Sequence, residues 1–181
     1  LRGTIYDANM KELAKSATVW RVVLEPKYIE SEGQRQAVAN GLAPILEMDA
    51  QEIYTIIADN PNSYYQVVKS QVETDVRDQI LVLREELADK DKYGEDVVTA
   101  GIRLEEDYKR YYPYGTLAST VLGFTNTDGQ GIEGLEYQYN EYLTGTAGRL
   151  VTAKNAIGTD MPFQYEQMVD AQNGYNLVLN I

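Results

Sequence analysis

Val38, Leu42, Ile45 and Leu46 recur at i, i+4, i+7 and i+8, the spacing of one helix face. Ser31 with Gln34 three residues later offers a capping box ahead of them, and Pro44 should kink or interrupt the far end. A second box, Asp49 with Glu52, precedes Ile53, Ile56 and Ile57, and Asn60-Pro61 closes that helix. Val76, Ile80, Leu83 and Leu87 predict a third, longer amphipathic helix that ends before Gly94. β-Branched, aromatic or alternating runs predict strands over 18–24, 64–72, 102–112, 150–154 and 175–181, the first stopped by Glu25-Pro26. A short helix over 115–122, a polar loop over 125–131 and a helix over 132–143 complete the pattern. Strands at both ends enclose a helical block, which is an α+β arrangement.

The composition of the 181 residues is that of a globular chain: 44% are hydrophobic and 24% charged. Charge changes the picture more. Lys and Arg number 16 against 28 Asp and Glu, a net charge of −12, which repels phosphate backbones and disfavours nucleic-acid binding. No apolar run reaches the roughly 18 residues of a membrane span. The chain opens on Leu1 and not Met, so we read it as a trimmed or processed piece of a longer protein.

His and Cys are both absent, which excludes Cys nucleophiles, Ser-His triads, zinc fingers and disulfides. A Ser–Lys nucleophile needs Ser-x-x-Lys on a helix. Three residues after Ser16, Ser31, Ser63, Ser70 and Ser119 stand Val19, Gln34, Gln66, Glu73 and Leu122, none of them Lys. Gly129, Gly131 and Gly134 match the spacing of a dinucleotide fingerprint, but a polar loop precedes them and Asp128 and Glu133 would oppose a pyrophosphate. Asn126, Asp128 and Gln130 resemble part of a calcium loop whose closing carboxylate position holds Tyr137. Glu85-Glu86 and Glu105-Glu106-Asp107 are acids on polar stretches, the usual makeup of a solvated face. No cofactor and no metal is expected. Fifteen Tyr stand against two Phe, clustered at 64–65, 111–114 and 137–142, and suit subdomain seams or protein contacts.

Three stretches together resemble the N-terminal dimerisation, or pedestal, domain of class B penicillin-binding proteins. Arg2-Gly3-Thr4-Ile5-Tyr6-Asp7-Ala8-Asn9-Met10 with Leu13-Ala14 is similar to R-G-x-I-x-D-R-N-G-x-x-L-A. Arg110-Tyr111-Tyr112-Pro113-Tyr114-Gly115 followed by Leu122-Gly123 is similar to R-x-Y-P-x-G and its L-G extension. Gly129-Gln130-Gly131-Ile132-Glu133-Gly134-Leu135-Glu136 with Leu143-Thr144-Gly145-Thr146-Ala147-Gly148-Arg149 is similar to G-x-x-G-I-E … L-x-G-x-x-G. Ala8 and Met10 depart from the usual Arg and Gly, and a turn needing positive φ at Met10 would be strained. The Asp-Ala-Asn form resembles the division and sporulation branch of Gram-positive bacteria.

The resemblance implies an elongated α+β fold in which residues 1–30 and 108–181 form a strand-rich neck and 31–107 an inserted helical head. It implies a transpeptidase domain after residue 181 that bears the catalytic S-x-x-K, S-x-N and K-T-G motifs, and a parent anchored by an N-terminal helix at the extracytoplasmic membrane face. The implied role here is non-catalytic: positioning that domain in peptidoglycan synthesis and contacting a glycan polymerase and other cell-wall proteins, with a homodimer possible. A stand-alone hydrolase using paired carboxylates and a generic extracellular interaction module are the competing readings. The pattern singles out Arg2, Gly3, Asp7, Arg110, Tyr112, Pro113, Gly115, Gly131, Glu133, Gly145 and Gly148 as structural. Its charged members, Arg2, Asp7, Arg110 and Glu133, are expected to converge in a partly buried ionic cluster, because charges are seldom buried unpaired. A docking site for a partner's acidic residue is the rival reading.

Overall fold

A computed structural model describes residues 1–88, 101–115, 119–151 and 167–181. The chain divides into two compact units, Thr18–Tyr108 and the pair of segments Leu1–Ala17 and Lys109–Ile181. The change of unit falls inside two strands, β2 (Glu12–Leu24) and β4 (Ile102–Tyr111).

In the unit 18–108 the sequence signals act locally. Ser31 Oγ accepts from Gln34 N–H while Gln34 Oε1 accepts from Ser31 N–H, a complete capping box at the start of α1 (Glu32–Leu46). Pro44 sits in the last turn of α1, which ends two residues later at Leu46 and is capped by Glu47 in the left-handed region (φ 53°). At α2 (Ala50–Asp59) Asp49 caps through Gln51 N–H at 2.7 Å, and no reciprocal bond from Glu52 completes a box. β3 (Gln66–Val72) pairs antiparallel with the later part of β2, and α3 (Thr74–Leu87) follows. Leu42, Leu46, Ile53, Ile57, Ile80, Leu83 and Leu87 close one apolar core from three helices, joined by Val22, Leu24 and Ile29. Those last three residues explain why 18–30 belongs to this unit and not to the neck, where the sequence boundary at residue 30 put it.

The other unit is built from shorter pieces. β1 (Ile5–Tyr6) pairs antiparallel with the start of β2 and parallel with β7 (Leu177–Val178). Helical turns α4 (Ser119–Leu122), α5 (Gly134–Gln138) and α6 (Asn140–Leu143) and the hairpin of β5 (Arg149–Val151) with β6 (Gln167–Val169) complete it. Among the described residues its apolar core is small: Ile5, Leu13, Ala14, Leu122 and Leu143. The single helix expected over 132–143 is instead two turns broken at Tyr139 (φ −105°, ψ 22°). The break coincides with a tertiary demand on Asn140, whose Oδ1 accepts from Gly131 N–H at 2.9 Å. Of the helix expected over 115–122, α4 covers Ser119–Leu122 and Gly115 stands in a turn at φ 56°; positions 116–118, Gly94 and residues 152–154 of the expected strand lie outside the described residues. Met10 does adopt φ 63°, in a turn closed by Met10 N–H on the Asp7 carbonyl at 3.1 Å.

Candidate functional site

Glu136 is the one fully buried acid among the described residues, and two arginines converge on it. Arg2 Nε donates to Oε2 at 2.6 Å and Arg110 Nε to Oε1 at 2.8 Å. The side chains of Arg2 and Arg110 are 7% and 3% exposed. Other guanidinium donors reach backbone, amide and hydroxyl oxygens, while Arg110 Nη2 is buried without a hydrogen-bond partner. Arg2 Nη2 donates to the Glu136 carbonyl at 2.7 Å, and Arg2 Nη1 to Asn140 Oδ1 at 2.8 Å and Thr144 Oγ1 at 3.0 Å. Arg110 Nη1 donates to the Gly3 carbonyl at 2.8 Å and Ser16 Oγ at 3.2 Å. Each bond carries a charge on one side, which makes it shorter and stronger than a neutral bond.

The three stretches singled out in the sequence therefore meet at one carboxylate. Two cations against one anion leave an excess positive charge, which the Gly3 and Glu136 carbonyls offset. Tyr112 stands beside the cluster, its hydroxyl 3.5 Å from Glu136 Oε1. Burial, followed by the negative charge of Glu136, raises its pKa above the usual tyrosine value of 10.0.

Glycine makes this convergence possible. A Cβ on Gly3 would lie 1.9 Å from the Tyr175 carbonyl oxygen, and one on Gly131 equally close to the Glu136 carbonyl oxygen, so backbone runs where any side chain would collide. Gly145 and Gly148 press on residues 169–174 in the same manner. Pro113 has a different task. It is the second residue of a turn closed by Gly115 N–H on the Tyr112 carbonyl at 3.0 Å, a position its fixed φ favours.

Two expected members stand elsewhere. Glu133 is exposed and takes no part in the ionic cluster; its carbonyl accepts from Tyr137 N–H at 3.1 Å as α5 begins. Asp7 Oδ1 accepts from Asn9 N–H and Lys11 N–H, both at 2.8 Å, and holds its own turn. Glu136 was written in the same stretch, three residues after Glu133. Its position in the first turn of α5, one turn before Asn140, was the only signal that distinguished it.

The other chemical readings dissolve into local structure. Asn126 Oδ1 accepts from Asp128 and Gln130 N–H, so the would-be calcium loop satisfies itself. Gly131 and Gly134 approach other backbone and not an open helix N-terminus. Glu105 and Asp107 pair with Arg103 and Arg21. Glu136, bonded on both oxygens to arginine, has no second acid beside it among the described residues to form a hydrolytic pair.

Residues 1–179 match the family described as the penicillin-binding protein dimerisation domain. The chain belongs to that family. Among its similar relatives is peptidoglycan D,D-transpeptidase FtsI of Escherichia coli (strain K12), 31% identical over 187 residues, covering 99% of this chain and 28% of that protein. Stage V sporulation protein D of Bacillus subtilis (strain 168) is 26% identical over 180 residues, covering 99% of this chain and 25% of its own. The chain thus spans about a quarter of these curated relatives. The fold is also that found in a complex between penicillin-binding protein PBP2 and MreC from Helicobacter pylori, with a TM-score of 0.60, 21% identity and coverage of 99% of this chain and 34% of that one. As a dimerisation-domain member, the chain has its ionic cluster in the stretches on which the family resemblance rests.

Proposed function

We propose that this chain is the non-catalytic pedestal of a peptidoglycan D,D-transpeptidase at the extracytoplasmic face of the membrane. The parent carries an N-terminal membrane anchor and a serine transpeptidase domain, and the pedestal fixes where that domain stands. The observation that carries this reading is the Arg2–Glu136–Arg110 cluster: three separated stretches of a dimerisation-domain sequence spend their charged residues on each other, in bonds that define angles as well as distances. The absence of Cys, His and Ser-x-x-Lys from the sequence supports the non-catalytic part. The name of the Bacillus subtilis relative supports a role in sporulation, and division is the other role proposed. The solved PBP2–MreC complex supports contact with another protein, and the family's description as a dimerisation domain supports a second copy; a glycan polymerase is a further proposed partner. The pedestal's expected neck and inserted head correspond in this proposal to the two compact units.

Incubation of the chain with a fluorescent penicillin should give no covalent label, and stoichiometric labelling would overturn the non-catalytic assignment. In the full-length parent, Arg110→Ala should leave penicillin acylation intact while wall synthesis in cells fails. Normal growth with that variant would remove the positioning role.

A further inference from the structure

We infer that the unit 18–108 contains a docking pocket for an acidic side chain borne on an apolar peptide segment of a partner protein. The inference does not depend on the role proposed for the ionic cluster, since it concerns other residues.

The pocket, about 410 Å³, lies where α3 faces β2 and β4. Arg77, Leu81 and Arg84 follow one another at i, i+4 and i+7 on α3, and Trp20, Ile102 and Leu104 line the strand side. In a chain of net charge −12, three arginines on one small cavity (Arg103 is the third) are a local reversal of sign. Two of them are already engaged. Arg77 lies over the Trp20 ring at 4.7 Å and bonds Asp78. Arg103 bonds Glu25 at 2.6 Å and Glu105 at 3.1 Å.

Arg84 is different. Among the described residues no carboxylate pairs with it, and its Nε is buried without a hydrogen-bond partner. A guanidinium nitrogen removed from water and left unbonded is costly, and a carboxylate can satisfy the whole edge of the group at once. The chemistry of the occupant follows from the rest of the lining. Trp20, Leu81, Ile102 and Leu104 are apolar, so the carboxylate should arrive on an apolar body. Asp78, Glu25 and Glu105 stand close by, and with the overall charge they oppose a dense polyanion such as a phosphate polymer. A Glu or Asp flanked by an apolar residue, in a peptide, meets both conditions.

Trp20 is the only tryptophan, so its fluorescence reports on this pocket alone. The chain should be titrated with the tripeptide Ac-Leu-Glu-Phe-NH2 and with its Gln counterpart. A saturable change in Trp20 emission with the Glu peptide, at least about fivefold weaker with the Gln peptide, is expected. Arg84→Gln should weaken the Glu peptide to the level of the Gln peptide, and Arg84→Lys should keep part of the difference. Equal response to the two peptides, or unchanged binding by Arg84→Gln, would overturn the inference. So would a response to inorganic polyphosphate with none to the peptide. If circular dichroism shows that Arg84→Gln fails to fold, Leu81→Glu, at a residue 39% exposed, serves instead. Its added negative charge must weaken the Glu peptide and spare the Gln peptide; no change sinks the proposal.

Discussion

Residues 18–108 bury large aliphatic side chains from three helices and three strands against each other, among them Leu42, Ile53, Ile57 and Ile80 at full burial. The described residues of 1–17 and 109–181 have only Ile5, Leu13, Ala14, Leu122 and Leu143 in their apolar core, and add to it a carboxylate held between two guanidiniums. Apolar burial is non-directional: many combinations of Leu, Ile and Val fill the same space. Charged hydrogen bonds and glycine contacts are directional, and they admit few substitutes. The comparison teaches why one unit can be recognised by fixed residues and the other only by periodicity.

The largest expected effect comes from removing the carboxylate. Glu136→Ala leaves two buried guanidiniums without their anion, at a cost of about 3–5 kcal/mol. Glu133→Ala, at an exposed acid three residues away, should stay within about 0.5 kcal/mol of the parent chain. Denaturant unfolding of both variants beside Leu42→Ala, expected to cost about 2–5 kcal/mol by leaving a cavity, sets ionic against apolar support. Equal stability of the Glu136 and Glu133 variants would break the comparison.

A smaller effect should appear only in alkali. The Tyr112 pKa is raised in the folded state, so the stability this group contributes is complete below pH 10 and is lost as pH rises through the folded value. Tyr112→Phe should therefore flatten the loss of stability above pH 10 and change little at neutral pH. In the other unit Tyr54 is also shifted upward, chiefly by its hydrogen bond to Glu32, but solvent reaches that pair. Melting curves of Tyr54→Phe should keep the parent's alkaline slope. Indistinguishable slopes for both variants would mean that the burial of Tyr112 has no thermodynamic consequence.

The helices of 18–108 were legible because their caps and apolar spacing lie within a few residues of each other, as Ser31 with Gln34 and Val76 with Leu87 illustrate. β2 reached further back than its β-branched run, to Glu12, because Leu13 and Ala14 are buried in one core with Leu122 and Leu143, more than a hundred residues along the chain. The helix over 132–143 failed for the same reason: its periodicity is intact, and Asn140 is claimed by Gly131 and Arg2 from outside the segment. The choice of Glu133 over Glu136 shows the limit most clearly. A family pattern marks a position without saying whether its side chain or its backbone is used, and at Glu133 it is the backbone.

One further consequence concerns time. β1 lies parallel to β7, Gly3 N–H bonds the Leu143 carbonyl, and Ala8 N–H bonds the carbonyl of Ile181. Ile5 and Tyr6 meet β2 close by, but Gly3, Ala8 and the parallel pairing of β1 wait for partners more than a hundred positions along the chain. Residues 18–108, by contrast, are a continuous segment whose helices meet near neighbours. Closing long loops slows folding, so a chain delivered from its N-terminus should complete the inner segment while its opening residues still wait. Pulsed hydrogen exchange during refolding should find the amides of α1 protected before that of Gly3, and the opposite order would refute this sequence of events.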